Sequence, residues 1–277
     1  MGFELWYSEN TKISRKGTTF GELQNIFIDN ITTKFIYEPL ACCKINDNAF
    51  EVKRTLDVKD FDTLGVVDKN QNKIGYIIHQ ELIDGEISNY VRQFEPQILI
   101  SDSTPISDLL DILYEKEYVY VLEKNSIEGI VTRADINKPI VRIYLFGIIS
   151  LFELHLNYWI NKNNAENEWL KKLTENRIIA AQEIYKQRKG NNSQLTILEC
   201  IQICDKKSIL LKTETFLESF EYSKTRFKDL LENSESIRNE LAHSQNSIIA
   251  NLNWKEFVST ISELKEFLNK SEKIIRT

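Results

Sequence analysis

"GVVDKNQNKIGYIIHQEL" (residues 65–82) and "YVLEKNSIEGIVTRADI" (residues 120–136) begin 55 residues apart and read alike. Each runs through a short apolar strand, an acidic residue, Lys-Asn, a tight turn, a glycine and a second apolar strand. Apolar runs of strand length around a turn predict a β-hairpin, and the recurrence predicts a duplicated unit. Ahead of the second copy, "STPISDLLDILYEKE" (103–117) offers Thr104 as a helix cap and Pro105 at the first helical position. Ile106, Leu109, Leu110 and Leu113 then share one helical face. "NDNAFEVKRTLDVKD" (46–60) holds the same place before the first copy, with weaker periodicity.

Working outward, composition changes near Pro139. All four prolines and seven of the nine glycines lie at or before it, and so long a proline-free remainder predicts helices. Charge changes as well: 15 Lys/Arg face 23 Asp/Glu through Lys138, a net of −8, against 20 and 18 from Pro139 onward, a net of +2. The acidic half is a poor platform for nucleic acid, and the second half does not repel it. The expected domains are therefore residues 1–138, with repeats at about 25–90 and 91–138, and residues 139–277.

"MGFELWYSEN" lacks the basic start and sustained apolar run of a signal peptide, so the expected compartment is the cytoplasm. The most apolar stretch, Ile140 to Ile160, nearly has the length of a membrane span, but Arg142, Glu153, His155 and Asn157 interrupt it. A buried bundle helix, with no membrane partner, is expected. Cys42, Cys43, Cys200 and Cys204 lack the spacing and nearby histidines of a metal or redox site, so they are expected to be core residues and no metal is expected.

Helix, strand, turn and strand, twice over, with "GIVTRAD" (129–135) closing the second copy, resembles a tandem CBS-domain pair over roughly residues 25 to 140. The resemblance implies an α+β fold that binds an adenosine nucleotide as a regulatory ligand. In the family the Ser/Thr and Asp of Gly-x-x-Thr-x-x-Asp hold phosphate and ribose, which implies Thr132 and Asp135 here. A hydroxyl at a helix start can donate to phosphate, a carboxylate can accept from two ribose hydroxyls, and Arg133 between them would supply a counter-charge. The first copy departs from the pattern, with Ile78 and Glu81 at the matching positions, so at most one good site is expected. Otherwise the pair only folds, dimerises and positions its neighbour.

From Pro139 the pattern predicts an all-α bundle of four or five helices. Trp254, Phe257, Val258, Ile261, Leu264 and Leu268 recur at three- and four-residue spacing, as do Phe216, Phe220, Phe227, Leu230 and Leu231. A third helix spans residues 166–190 and ends at Gly190, while Asn233 and Ser234 read as a stop and a new cap ahead of "SIRNELAHSQ" (236–245). Arg238, Asn239, three residues and His243 on a helix late in an all-helical domain resembles the HEPN superfamily, whose signature is Arg, four to six residues, then His.

Members with the full motif are often metal-independent RNases that act as dimers. The resemblance implies that Arg238, Asn239 and His243 are catalytic, with RNA as substrate, a homodimer as the working form and no cofactor needed for catalysis. The residue types suit attack of a 2′-hydroxyl on the neighbouring phosphate. Histidine exchanges protons near neutrality, and arginine forks to phosphate oxygens. Five residues on a straight helix turn through about 140°, so two chains would have to complete the site. For His243 the alternative is a helix-end histidine that satisfies backbone carbonyls.

On the apolar helix, Ser150, Glu153 and Asn157 form one polar stripe at three- and four-residue spacing. A carboxylate in such surroundings requires a cation, so Glu153 is expected to face Arg238 and join the catalytic group. Otherwise the stripe faces solvent or a partner subunit. His79 and His155 are expected to be structural. The chain reads as a nucleotide-sensing module controlling an endoribonuclease, by analogy part of a stress or anti-phage system. The alternative is a non-catalytic, ligand-responsive interaction protein.

Overall fold

The computed structural model describes residues 7–8, 13–14, 17–165, 167–191, 195–242, 247–249 and 251–276. The chain forms two units, one spanning Phe27–Ile140 and the other combining the described part of Met1–Ile26 with Val141–Thr277. In chain order, β1 (Tyr7–Ser8) pairs antiparallel with β2 (Ile13–Ser14), and α1 (Phe20–Asn30) follows. The first residues of α1, expected with the repeats, belong instead with the later helices. Phe20 is buried, its N–H donates to Glu272 Oε1 at 2.5 Å, and Leu23 packs against Gly147.

The duplicated unit contains β3 (Glu38–Pro39), β4 (Cys42–Lys44), α2 (Ala49–Lys59), β5 (Thr63–Val67) and β6 (Lys73–Ile78). Then come β7 (Leu99–Ser101), α3 (Ile106–Ile112), β8 (Tyr118–Glu123) and β9 (Ser126–Thr132). In each copy a strand leads through a helix to a parallel neighbour, β4 with β5 and β7 with β8, and an antiparallel hairpin follows. Even the irregularities repeat, with register shifts at Val66/Val67 and at Val121/Leu122. β5 is buried at every position, as befits the central strand of its sheet, and its one polar side chain, Thr63, is hydrogen-bonded.

The two copies exchange partners. β3, near the start of the first copy, pairs with β9 of the second, while Arg92, at the start of the second copy, trades both backbone hydrogen bonds with Tyr76 in β6, at 2.9 and 2.8 Å. Glycine at matching positions admits each visitor. A Cβ on Gly75 would lie 2.4 Å from the Arg92 carbonyl oxygen, and one on Gly129 would lie 2.2 Å from Tyr37 Cδ2. Between the copies, the rings of Tyr76, Phe94 and Tyr120 pack with centroids 5.0 to 5.6 Å apart. Tyr120 and Thr63 join hydroxyls at 2.5 Å, and Thr63 Oγ1 donates onward to the Ile77 carbonyl.

Because a backbone carbonyl in a ladder cannot swing aside as a tyrosine ring can, Gly75→Ala should cost about 1–3 kcal/mol and more than Gly129→Ala. Urea denaturation of the two variants checks this, and an equal or smaller loss at position 75 would contradict it. Thr104 does not cap α3 as the sequence suggests. Pro105 takes the cap position without a side-chain bond, and the Thr104 carbonyl accepts from Thr33 N and Oγ1 at 2.8 and 2.9 Å.

The helical unit contains most of α4 (Pro139–Asn163), then α5 (Glu175–Lys189), α6 (Ile203–Leu210), α7 (Glu214–Phe220), α8 (Lys224–Ala242) and α9 (Trp254–Arg276). Among the described residues α4 is the one helix long and apolar enough to cross a membrane. Eleven of its side chains are buried, which makes it the core helix of this unit. Its Phe152 meets Phe267 of α9 edge-on at 5.0 Å, and Phe267 stacks on Phe220 of α7 at 4.6 Å.

Three predicted boundaries move. The helix expected over 166–190 is a 3-10 turn, Glu168–Lys172, and then α5, and Gly190 ends α5 without a left-handed φ. The face expected from Phe216 to Leu231 is broken at Glu221, which holds a left-handed φ of 58° while Tyr222 N–H donates back to the Leu217 carbonyl. Asn233 and Ser234 do not stop α8. Ser234 Oγ donates to the Leu230 carbonyl four residues back, and Asn233 Nδ2 donates to Thr260 Oγ1, so both polar groups are satisfied within a continuous helix.

Candidate functional sites

At the end of β9, the chain turns into a short 3-10 helix, Arg133–Asn137, through a capping box. Thr132 Oγ1 accepts from Ala134 N–H at 3.2 Å, and Asp135 Oδ2 accepts from Thr132 N–H at 2.7 Å and from Thr132 Oγ1 at 3.1 Å. The buried Asp135 meets Lys138 Nζ at 2.9 Å through its other oxygen. Lys138 also donates to the Ile36 carbonyl and to Glu38 Oε1. Burial would lower the Lys138 ammonium, but Glu38 and Asp135 outweigh it and raise its pKa above the usual lysine value.

Thr132 and Asp135 thus stand together, and a ligand would have to share or displace their present partners. Arg133 turns elsewhere: its guanidinium donates to the carbonyls of Leu113, Tyr114 and Lys116, which follow the end of α3. In the first copy, Ile78 brings no hydroxyl, and Glu81, matching Asp135, is tied to Arg92 with Nε at 2.9 Å. His79 pairs with Asp57 at 2.7 Å.

The second candidate site lies in the helical unit. Glu153 of α4 is 27% exposed, and its Oε1 stands 3.6 Å from Nε of Arg238, which is 49% exposed toward the C-terminal end of α8. Arg238 Nη1 donates to Asn239 Oδ1 at 3.3 Å. Arg238, Asn239 and Glu153 are therefore brought together. Of the stripe, Ser150 is exposed, and Asn157 Oδ1 is buried with no hydrogen-bond partner among the described residues. His243 lies outside the described residues, just after α8 ends at Ala242.

Sequence reasoning missed Lys206 of α6. Its side chain is 4% exposed, and its ammonium reaches Glu153 Oε2 at 3.4 Å. Burial draws its pKa below the usual lysine value; Glu153 opposes the shift and Arg238 adds to it. The signal was a lysine at an apolar spacing, between Ile203 and the Ile209–Leu210 pair. His155, fully buried, is held at Nδ1 by Ser271 Oγ at 2.6 Å, and Trp159 Nε1 donates to the same hydroxyl at 2.7 Å. Ser271 Oγ thus links the two rings, while His155 Nε2 is buried with no hydrogen-bond partner among the described residues.

Comparison with curated proteins gave no match. Among solved structures, similar ones include the CBS domains of a transcriptional regulator from Streptococcus pneumoniae, 18% identical, covering 39% of this chain and 98% of that one with a TM-score of 0.34. CBSX2 in complex with AMP is 17% identical, covering 40% and 97% with a TM-score of 0.35. A CBS domain pair in complex with 5′-methylthioadenosine and S-adenosyl-L-methionine is 20% identical, covering 38% and 91% with a TM-score of 0.33. The family model for the CBS domain matches residues 91–142. That stretch holds β7, α3, β8, β9 and the capped Thr132–Asp135 turn, so residues 91–142 are a CBS domain.

Proposed function

We propose that the duplicated unit senses an adenosine-containing nucleotide and that the helical unit, which resembles HEPN domains, is a metal-independent endoribonuclease working as a homodimer. The observation that carries the nuclease reading is the Arg238 guanidinium, half-exposed and anchored on one side by Glu153. Such a group can fork to phosphate oxygens while its anchor fixes its direction. Asn239 steadies it from the neighbouring position. His243 would exchange the proton of the attacking 2′-hydroxyl. A cytoplasmic stress or anti-phage role follows by analogy alone.

The sensor reading rests on Thr132 and Asp135. A ribose would donate its hydroxyl hydrogen bonds to the Asp135 carboxylate in place of Lys138, which immediately precedes α4. Ligand occupancy would in this way reach the start of the helical unit along the chain itself. To regulate cleavage, the ligand must prefer one arrangement of the dimer.

A thermal-shift panel of AMP, ADP, ATP, NAD, S-adenosylmethionine and oligoadenylates tests the sensor. One of them should bind at one per chain and raise Tm, by about 2.7 kcal/mol of stabilisation at a hundredfold excess over Kd. Asp135→Asn should remove that shift and keep the capping shape. No shift with any nucleotide would leave the unit a scaffold, and an unchanged shift in the variant would put the ligand in another cleft. The non-catalytic reading has its own support in Ile143 and Phe146, which α4 exposes by 59% and 53%.

A further inference from the structure

The least expected group in the helical unit is the Lys206 ammonium. Burying an ammonium costs several kcal/mol unless it is well paired. Here the pairing is a single carboxylate oxygen at 3.4 Å, with the like-charged Arg238 bound to the same carboxylate. A methionine of similar length would fill this position at less cost. Stability does not account for the lysine, whereas geometry does. Glu153 is divided, with Oε2 held from the buried side by α6 and Oε1 left to the half-exposed arginine of α8.

We infer that Lys206 is a positioning residue for Arg238, acting through Glu153: its ammonium pins one carboxylate oxygen so that the other sets the guanidinium toward a phosphate-bearing ligand. The inference rests on the nuclease reading for its consequence, though not for its geometry. Two cations around one carboxylate leave a surplus positive charge, and it lies on the exposed member. An RNA phosphodiester is the anion this reading assigns to it. No proton transfer is assigned to Lys206, since its ammonium faces the carboxylate and is buried away from solvent.

The test uses the full chain with Lys206→Met, Glu153→Gln and the double variant. Lys206→Met should keep or raise Tm, because it removes a buried charge. It should lower single-stranded RNA cleavage between about 10- and 100-fold, the range expected when a reacting group is displaced by about an ångström. The double variant should be no worse than the poorer single one, because Lys206 has nothing to position once the carboxylate is gone. Single effects that multiply, or a Lys206→Met protein that cuts at the wild-type rate, would overturn the inference.

An NMR readout separates this inference from the nuclease reading. The Nε–H resonance of Arg238 should move in Lys206→Met in the same direction as in Glu153→Gln, with or without RNA. If the wild-type protein cuts no RNA but that resonance moves, the positioning stands and the nuclease reading fails. An unmoved resonance overturns the positioning even in an active enzyme.

Discussion

Arg238→Ala is expected to lower RNA cleavage by about 10²–10³-fold, the usual loss when one preorganised donor to a developing oxyanion is removed, while the fold stays intact. The side chain is 49% exposed and its recorded partners are Glu153 and Asn239, so truncation opens no cavity in the core. Glu153 keeps Lys206 as its counter-charge. Arg238→Lys should recover only part of the rate, because an ammonium restores charge without the planar fork. His243→Ala should lose cleavage to a similar degree. Initial rates in EDTA, beside far-UV circular dichroism and Tm, decide the matter, and a wild-type rate in either alanine variant would end the enzyme reading.

The stability of the helical unit should fall as pH drops from about 6.5 to about 4, by about 3 kcal/mol, because the buried His155 resists its proton. Burial pushes the imidazole from 6.5 to about 4. The unfolded chain therefore binds a proton across that window and the folded chain does not. The contribution is fully present above the unfolded value, declines through the window and is gone below the folded value. His155→Leu should flatten this part of the profile. Urea denaturation at half-unit pH steps reads the difference between the two proteins, and parallel profiles would show that His155 protonates without resistance.

Much of the duplicated unit was legible because its signals are local. Alternating or continuous apolar runs around a Lys-Asn turn specify a hairpin wherever they occur, and the second occurrence specified the repeat. The exchange of β3 and Arg92 between copies was not legible, since pairings such as Glu38 with Ile130 and Tyr76 with Arg92 leave no local periodicity. Its trace was Gly75 and Gly129 at matching positions, which admit a backbone and a ring that no side chain would allow.

In the helical unit, amphipathic faces were readable and their interruptions were not. Glu221 adopts a left-handed conformation that usually advertises itself with glycine, and it is fixed there by bonds within the turn and an ion pair to Lys270 at 2.6 Å. Asn233 and Ser234 carried the composition of a cap, but their side chains found partners in a neighbouring helix and in the preceding turn. The contact between Glu153 and Arg238 was foreseeable because a carboxylate on an apolar helix demands a cation. Lys206 escaped notice because adjacent lysines usually mark a solvated face, and the fold turns one of this pair inward.

The measurement that bears most directly on the account is incubation of the purified chain with mixed single-stranded RNA in EDTA, followed by analysis of the new ends. Attack by the 2′-hydroxyl predicts cleavage without metal that leaves a 2′,3′-cyclic phosphate or its hydrolysis product. Intact RNA, or fragments with a 5′-phosphate and a free 3′-hydroxyl, would contradict it.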